Sequence, residues 1–190
     1  MKVKLGRTPL VYPIPIVLAG ANVNGRANFA TLGDCGIMGI NPPLVYVSLH
    51  QGHYTTKGIE ENQTYSINIP PTSMLAVTDY CGIVTGEEVD KSELFEVFYG
   101  EVGTAPMIAE CRVNMECRVV KGFGIEHRRI YVGEVVQAYV EEGYMVEREG
   151  RRAIVEMTAL DPIIYGLDNR YYGLGEMIGL GYTEGKGFRQ

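Results

Sequence analysis

The chain has 190 residues, 46% of them hydrophobic and 21% charged, with a net charge of −6 and a pI near 5.1. That length is enough for one full hydrophobic core, so one domain over residues 1–190 is the expectation. The acidic balance and the lack of a basic run argue against nucleic acid as a partner, and no apolar run approaches the roughly 20 residues of a membrane span. A soluble, cytoplasmic protein acting on a small molecule is expected.

Lys2, Lys4 and Arg7 precede an apolar run from Leu10 to Leu18, and Ala19-Gly20-Ala21 resembles a small-residue cleavage site. A secretion signal is the rival reading of this stretch, but Pro13 and Pro15 would break its helical centre. The pattern instead runs into Asn24 as a strand would, giving a strand over Val11 to Ala19 and a tight turn at Asn24-Gly25. Pro42-Pro43 stops a loop before a buried-looking strand from Leu44 to Leu49, and a short helix is predicted after Tyr54. A strand follows from Thr64 to Ile69, then helices from about Thr72 to Tyr80 and from Asp90, where Glu93 stands three residues on as in a capping box. Cys111, Val113, Met115, Cys117 and Val119 alternate with Arg112, Asn114, Glu116 and Arg118, which predicts a strand with one core face and one wet face. Ile130 to Val140 and Ala153 to Met157 complete the strands. The helices interrupt the β pattern instead of alternating with it, which argues for a mainly β, antiparallel closed or split barrel with a few peripheral helices, not a doubly wound sheet.

The four cysteines, Cys35, Cys81, Cys111 and Cys117, form no C-x-x-C pair and are read as reduced thiols, with no metal site. Two glycine-rich stretches fail as nucleotide motifs. Gly173 to Gly179 does not spell the dinucleotide fingerprint, and Gly181 to Gly187 is one residue short of a phosphate loop and lacks Ser or Thr after its lysine. The segment from Asn24 to Ile59 is the richest: its loops offer backbone N–H groups and small polar side chains to a flat ring at one end and a phosphate at the other.

Taken in order, the landmarks Gly25-Arg26-x-Asn28-x-x-Thr31, Pro42-Pro43-x-Val45-x-Val47-Ser48, Thr55-x-x-x-Ile59, Asn68-Ile69-Pro70, Asp90-Lys91, Glu116-Cys117 and His127 leading into Tyr131-Val132-Gly133-Glu134 resemble the flavin reductase-like, FMN-binding split-barrel family. The resemblance runs from Tyr12 to about Pro162, and the tail with Tyr171-Tyr172-x-Leu174-Gly175-Glu176 is similar to the flavoredoxin and ferric reductase branch. It implies a Greek-key split barrel whose C-terminal tail, from about residue 163, packs on the barrel or on the partner of a homodimer. Where many relatives carry tryptophan after a small residue, this chain has Gly33-Asp34-Cys35 and no tryptophan anywhere. An acid at Asp34 facing the flavin ring would disfavour its anionic reduced form.

The same resemblance implies that Asn28 and Thr31 bond the ring's polar edge or the ribityl chain, and that Ser48 and Leu49 line the ring. Thr55 and Thr56, at a helix start, would meet the phosphate. Read without the family, Thr55 merely caps the helix and Asn28 stabilises a turn. His53, Lys57 and Lys186 are further phosphate candidates, and His127 lies where a nicotinamide would stack. Arg128, Arg129, Arg151 and Arg152 are candidates for the 2′-phosphate of NADPH, although charged strand ends are mostly solvated. The implied activity is reduction of bound FMN by NADH or NADPH, with electrons passed to free flavin, ferric iron or a protein acceptor. An electron carrier with tightly bound FMN, or a non-catalytic flavin-binding module, are the alternatives.

Overall fold

The computed structural model describes residues 1–148 and 151–187. Its main body is one seven-stranded sheet with strands β1 (Val17–Val23), β2 (Arg26–Leu32), β3 (Cys35–Gly39), β4 (Leu44–His50), β5 (Thr64–Ile69), β6 (Val113–Ile125) and β7 (Arg128–Val140). All pairings are antiparallel, in the order β2-β1-β5-β6-β7-β4-β3. β1 and β2 are joined at Asn24-Gly25, where φ is 51° and 75°. Two successive left-handed residues make the hairpin turn whose twist matches the flanking strands, and Asn-Gly tolerates it best.

The sheet is rolled. Ala30 and Leu32 of edge strand β2 share one core cluster with Val45, Val47 and Leu49 of β4, and Cys35 of the opposite edge strand β3 packs against it. Tyr65 of β5, Cys117 of β6 and Tyr131 of β7 fill the same interior. Helix α1 (Tyr54–Asn62) inserts Ile59 into this core, and Asn62 Nδ2 bonds Asn22 O on β1 at 2.8 Å.

The outer face of β1 and β2 is covered as well. Leu18, Ala27 and Phe29 meet Cys81 of helix α2 (Leu75–Ile83), with Phe95 and Ile108 from the segment beyond. The Phe29 and Phe95 rings stand edge to face at 5.4 Å. Burial on both sides explains why Val17-Leu18-Ala19-Gly20-Ala21 is apolar without alternation. Among the described residues no helix is long and apolar enough to cross a membrane.

The first strand starts later than expected: residues 1–13 have no regular structure, and pairing begins at Ile14–Pro15, since Pro13 and Pro15 carry no N–H for a ladder. The helix at Asp90 is only a 3₁₀ turn (Lys91–Leu94), capped by Asp90 through Ser92 N at 3.0 Å. Ala153 to Met157 divides into the strand Arg151–Val155 and a helical turn Met157–Leu160.

The expected wet face of the Cys111 strand is wet at Arg118 and half-buried at Arg112, but not wet between them. Asn114 and Glu116 are buried, because the short ladder Val97–Phe98 with Met107–Ile108 and the loop between them cover that face. Asn114 donates to Asn68 Oδ1 and Ile108 O, each at 2.8 Å, and the Glu116 carboxyl accepts from Glu101 N and Val102 N at 2.8 Å and from Tyr139 Oη at 2.7 Å. Period-two alternation separates two faces but does not say that the polar one meets water. Replacing Glu116 with Ala orphans three donors, and urea denaturation is expected to show a loss of about 3 kcal/mol or more. Glu116→Gln, which keeps the shape and part of the accepting capacity, is expected to cost clearly less.

Candidate functional site

Two cavities and the gap between them form a trough beside the β2 edge. The first, about 210 Å³, sits at the N-terminus of α1 and is lined by Asn28 and Thr31 of β2, His53 and Thr55 of the helix start, Lys91, and the chain from Cys81 to Gly86. Asn28 Nδ2 donates to Thr55 Oγ1 at 2.7 Å, which ties β2 to the helix and leaves the Thr55 proton free for the cavity. Asn28 Oδ1 is buried without a hydrogen-bond partner. A Cβ on Gly86 would fall 2.0 Å from that oxygen, so only glycine lets this loop pass. Arg26 holds the loop from the far side, bonding Gly86 O at 3.4 Å and Asp90 at 3.2 Å.

Lys91 is the main charge here. It is 4% exposed, and its ammonium donates to Phe29 O at 3.0 Å and Cys81 O at 2.7 Å. Two of its three N–H bonds are thereby used, and burial lowers its pKa. His53 is also held below its usual value, first by burial and then by the positive charges of His50, Arg128 and Lys91. In a chain of net charge −6 this corner is built of cationic groups and amide and hydroxyl donors.

The second cavity, about 630 Å³, opens beside Asp34, Cys35, Ser48 and Arg128 and is otherwise walled mostly by apolar side chains. Arg128 Nε donates to Ser48 Oγ at 3.1 Å, and Nη2 donates to Ser48 O at 2.6 Å and to the Asp34 carboxylate. Asp34 therefore faces Arg128 as an ion-pair partner. A gap of about 320 Å³ joins the two cavities, sharing Thr31 and Gly82 with the first and Gly33 and Asp34 with the second. Its remaining wall is Ile14 and Ile16 with Tyr165, Leu167 and Tyr171 of the C-terminal hairpin, Ile164–Gly166 with Arg170–Tyr172, which Tyr171 Oη holds over α2 by donating to Asp79 at 2.6 Å.

Of the residues singled out in the sequence, Asn28, Thr31, His53 and Thr55 meet in the first cavity, and Ser48 and Arg128 border the second. Thr55 does not cap its helix: His53 is the N-cap position, with no side-chain cap bond. Others lie away from both cavities. The Leu49 side chain is fully buried in the barrel core, because alternation along β4 turns it inward where Ser48 turns out. Thr56 turns its hydroxyl to His50 O at 3.3 Å, and Lys57, exposed, pairs with Glu87 and lies over the Tyr54 ring. His127 is an exposed turn residue whose ring lies 6.2 Å from that of His50. Lys186 is exposed in the tail turn Glu184–Gly187. Arg129 pairs with Glu60 at 3.5 Å, and the Arg151 and Arg152 side chains lie outside the described residues.

Lys91 was not among the site residues picked from the sequence, and Asp34 and Arg128 were singled out separately, for the flavin ring and the NADPH 2′-phosphate, not as partners of each other. Lys91 carries a local signal, a charged residue directly after a capping aspartate, but its burial arises from contacts with residues 10 and 62 positions away. Asp34 and Arg128 stand 94 positions apart and are joined only by the β4–β7 pairing that sets Ile130 opposite Ser48.

A folded-state pKa below 6.5 for His53 fixes the sign of one pH effect. The unfolded chain takes up a proton as pH falls through 6.5 while the folded chain resists, so stability is expected to fall below pH 6.5 until the lowered pKa is passed. His53→Gln is expected to flatten that part of the stability profile. An NMR titration placing His53 at or above 6.5 would remove the effect.

The family model described as Flavin reductase like domain matches residues 7–161. A flavoredoxin structure from Methanosarcina acetivorans has a TM-score of 0.92 and 43% identity, covering 98% of each chain. Flavoredoxin of Desulfovibrio vulgaris (Miyazaki F) follows at 0.88 and 30%, covering 98% of this chain and 100% of the other. An FMN-binding protein from Thermus thermophilus shares the fold at 0.78 and 22% identity, covering 95% of this chain and 99% of its own.

Proposed function

The chain belongs to the flavin reductase-like family, and we propose that it is an FMN-binding electron-transfer protein that accepts hydride from NADH or NADPH and passes electrons to free flavin, ferric iron or a protein acceptor. The first cavity carries this reading: a buried ammonium, a free threonine proton and an orphaned amide oxygen converge at a helix N-terminus. That donor set suits a phosphate at the end of a polyhydroxyl chain, since N–H groups, the helix dipole and the ammonium favour the anion. The orphaned Asn28 oxygen suits a hydroxyl or ring N–H donor.

Lys91, Thr55 and His53 would hold the phosphate. Asn28 and Thr31 would serve the ribityl chain or the ring edge, with Ser48 bordering the ring. Bound FMN supplies the redox chemistry, and the chain positions the donor and excludes water. His127, an exposed turn residue next to Arg128 in the chain and outside both cavities, would help position the nicotinamide. Two copies forming a homodimer are part of the proposal, supported by the exposed apolar residues Ile37, Met38 and Ile40 at the β3 edge. So is one flavin-binding domain with its tail folded back on the barrel, supported by the Tyr171 to Asp79 bond.

A second reading, an electron carrier whose tightly held FMN is reduced by a protein partner, is favoured by the two flavoredoxin structures matched over nearly the whole chain.

Purified protein is expected to be yellow and to quench FMN fluorescence on titration; no uptake of FMN would sink the proposal. Lys91→Met and Thr55→Val are each expected to weaken FMN binding by about 1 to 3 kcal/mol, the cost of one charge-assisted partner. Thr56→Val is expected to leave it nearly unchanged, because that hydroxyl is turned to His50 O.

Anaerobic mixing with NADH or NADPH is expected to bleach the flavin band within minutes. His127→Ala should slow that step more than it weakens FMN, since misplacing the donor by about 1 Å costs on the order of a hundredfold. Bleaching by dithionite but by neither nucleotide would instead establish the carrier.

A further inference from the structure

We infer that a third cavity, at the open end of the barrel interior, is a binding site for a small zwitterion of the α-amino acid kind, with Glu60 taking its ammonium and Arg129 its carboxylate. The cavity, about 380 Å³, is enclosed by Glu60 and Gln63 at the end of α1, by Val119, Gly122 and Gly124 of β6, and by Arg129 and Tyr131 of β7. It lies on the other face of the sheet from the trough. Side chains alternate along β7, so Arg128 and Ile130 border the second cavity while Arg129 and Tyr131, paired opposite Leu49 and Val47, turn to the barrel interior.

The hollow exists because β6 presents two glycines to it. Gly122 and Gly124 stand opposite Tyr131 and Arg129 in the pairing, and neither has the left-handed φ that would by itself call for glycine. A Cβ on Gly122 would come within 3.2 Å of the Tyr131 ring, and one on Gly124 would overlap Arg129 Nη1, so the bare strand lets both side chains lie across it. Glycine inside a strand weakens it and marks a close approach to the backbone. β5 pairs with β6 only as far as Arg118, and Val119 N bonds Gln63 O at 2.9 Å; among the described residues no strand pairs with that edge from Val120 onward. The backbone groups of that edge are left for a ligand or water.

Opposite charges with bonding capacity to spare line this hollow. Tyr131 Oη donates to Glu60 Oε1 at 3.0 Å, and Arg129 Nε approaches the same oxygen at 3.5 Å. Burial, and then the bond to Glu60, push the Tyr131 hydroxyl up, so it stays a donor. Among the described residues no hydrogen bond from the protein reaches Glu60 Oε2, and none is made by the terminal nitrogens of Arg129. α1 ends here, and the negative end of its dipole adds to Glu60 in favouring a cation on that side. A plain anion would meet Glu60 as well as Arg129, and a plain cation Arg129 as well as Glu60. A molecule with ammonium and carboxylate on one carbon meets each with the opposite sign.

Three probes of one carbon frame test this on the full chain, with and without FMN, by ligand-observed NMR: L-valine, 3-methylbutanoate, which lacks the ammonium, and isobutylamine, which lacks the carboxylate. L-valine is expected to bind at least about tenfold more tightly than either. Glu60→Gln is expected to narrow the ratio of L-valine to 3-methylbutanoate to about threefold or less, and Arg129→Gln to narrow the ratio of L-valine to isobutylamine likewise. If either variant folds poorly, Gly124→Ala keeps both charges, displaces the guanidinium and is expected to cut L-valine affinity about tenfold.

Equal binding of the three probes, no binding of L-valine by about 10 mM, or ratios unchanged in the variants would overturn the inference. So would displacement of L-valine by FMN, because the probe would then lie in the trough. The site does not rest on the flavin reading: FMN uptake, read from the visible flavin band, decides the proposed function separately.

Discussion

Two residues decide the shape of this molecule. β2 ends at Leu32 and β3 begins at Cys35, so only Gly33 and Asp34 join strands that stand at opposite edges of a seven-stranded sheet. Three chain steps reach at most about 10 Å, whereas the edges of a flat seven-stranded sheet lie about 28 Å apart. The sheet must roll until its edges meet near this link. Twist alone does not complete the ladder, and no pairing joins β2 to β3. The trough follows from that incomplete closure: Thr31 comes from one edge, Asp34 from the link, and Ser48 from the strand next to the other edge. Ser48 N donates to Asp34 O at 2.8 Å, which pins the link to the strand beside it.

Charge is distributed along the trough in two ways. At the α1 end Lys91 is buried on carbonyl oxygens, its pKa lowered, with no carboxylate among the partners of its ammonium. At the other end Arg128 is matched to Asp34. The first arrangement keeps a cationic field for a ligand at a cost in folding energy, while the second gives up its field to an internal partner. A single elongated ligand with one anionic end would lie along this gradient, its charged end at Lys91 and its uncharged end toward Arg128.

Much of the barrel was legible because antiparallel strands with one buried side write themselves as alternation, and Thr64 to Ile69 was bounded correctly from that signal. Asn114 and Glu116 were misplaced for the same reason that made them easy to see as a pair: alternation reports two faces, and only tertiary cover decides whether a polar face is wet. At the site, Asn28, Thr31, His53 and Thr55, which the family resemblance named, line one cavity because one short stretch of chain supplies them. Leu49 followed Ser48 in the expected list but turns to the opposite side, as neighbours on a strand must. Thr56 and Lys57 show that adjacency on a helix start does not share a direction. The burial of Lys91 and the pairing of Arg128 with Asp34 depend on long-range packing, which no local pattern encodes.

A buried lysine on two carbonyls is not what folding alone would select. Desolvation of the ammonium works against the folded state, which is why its pKa falls, and two neutral acceptors compensate it only in part. Asn28 Oδ1 adds a second deficit a few side chains away, an acceptor with no donor. Both residues line the same cavity, and one ligand carrying an anion and a nearby hydroxyl would serve them together. Whatever binds there is therefore linked to stability: the free energy recovered by pairing Lys91 and Asn28 enters the folded state only when the ligand is present. On the flavin reading, that linkage is why FMN would be retained as part of the protein, and retention is the property that a carrier and a hydride-accepting enzyme with a resident cofactor have in common.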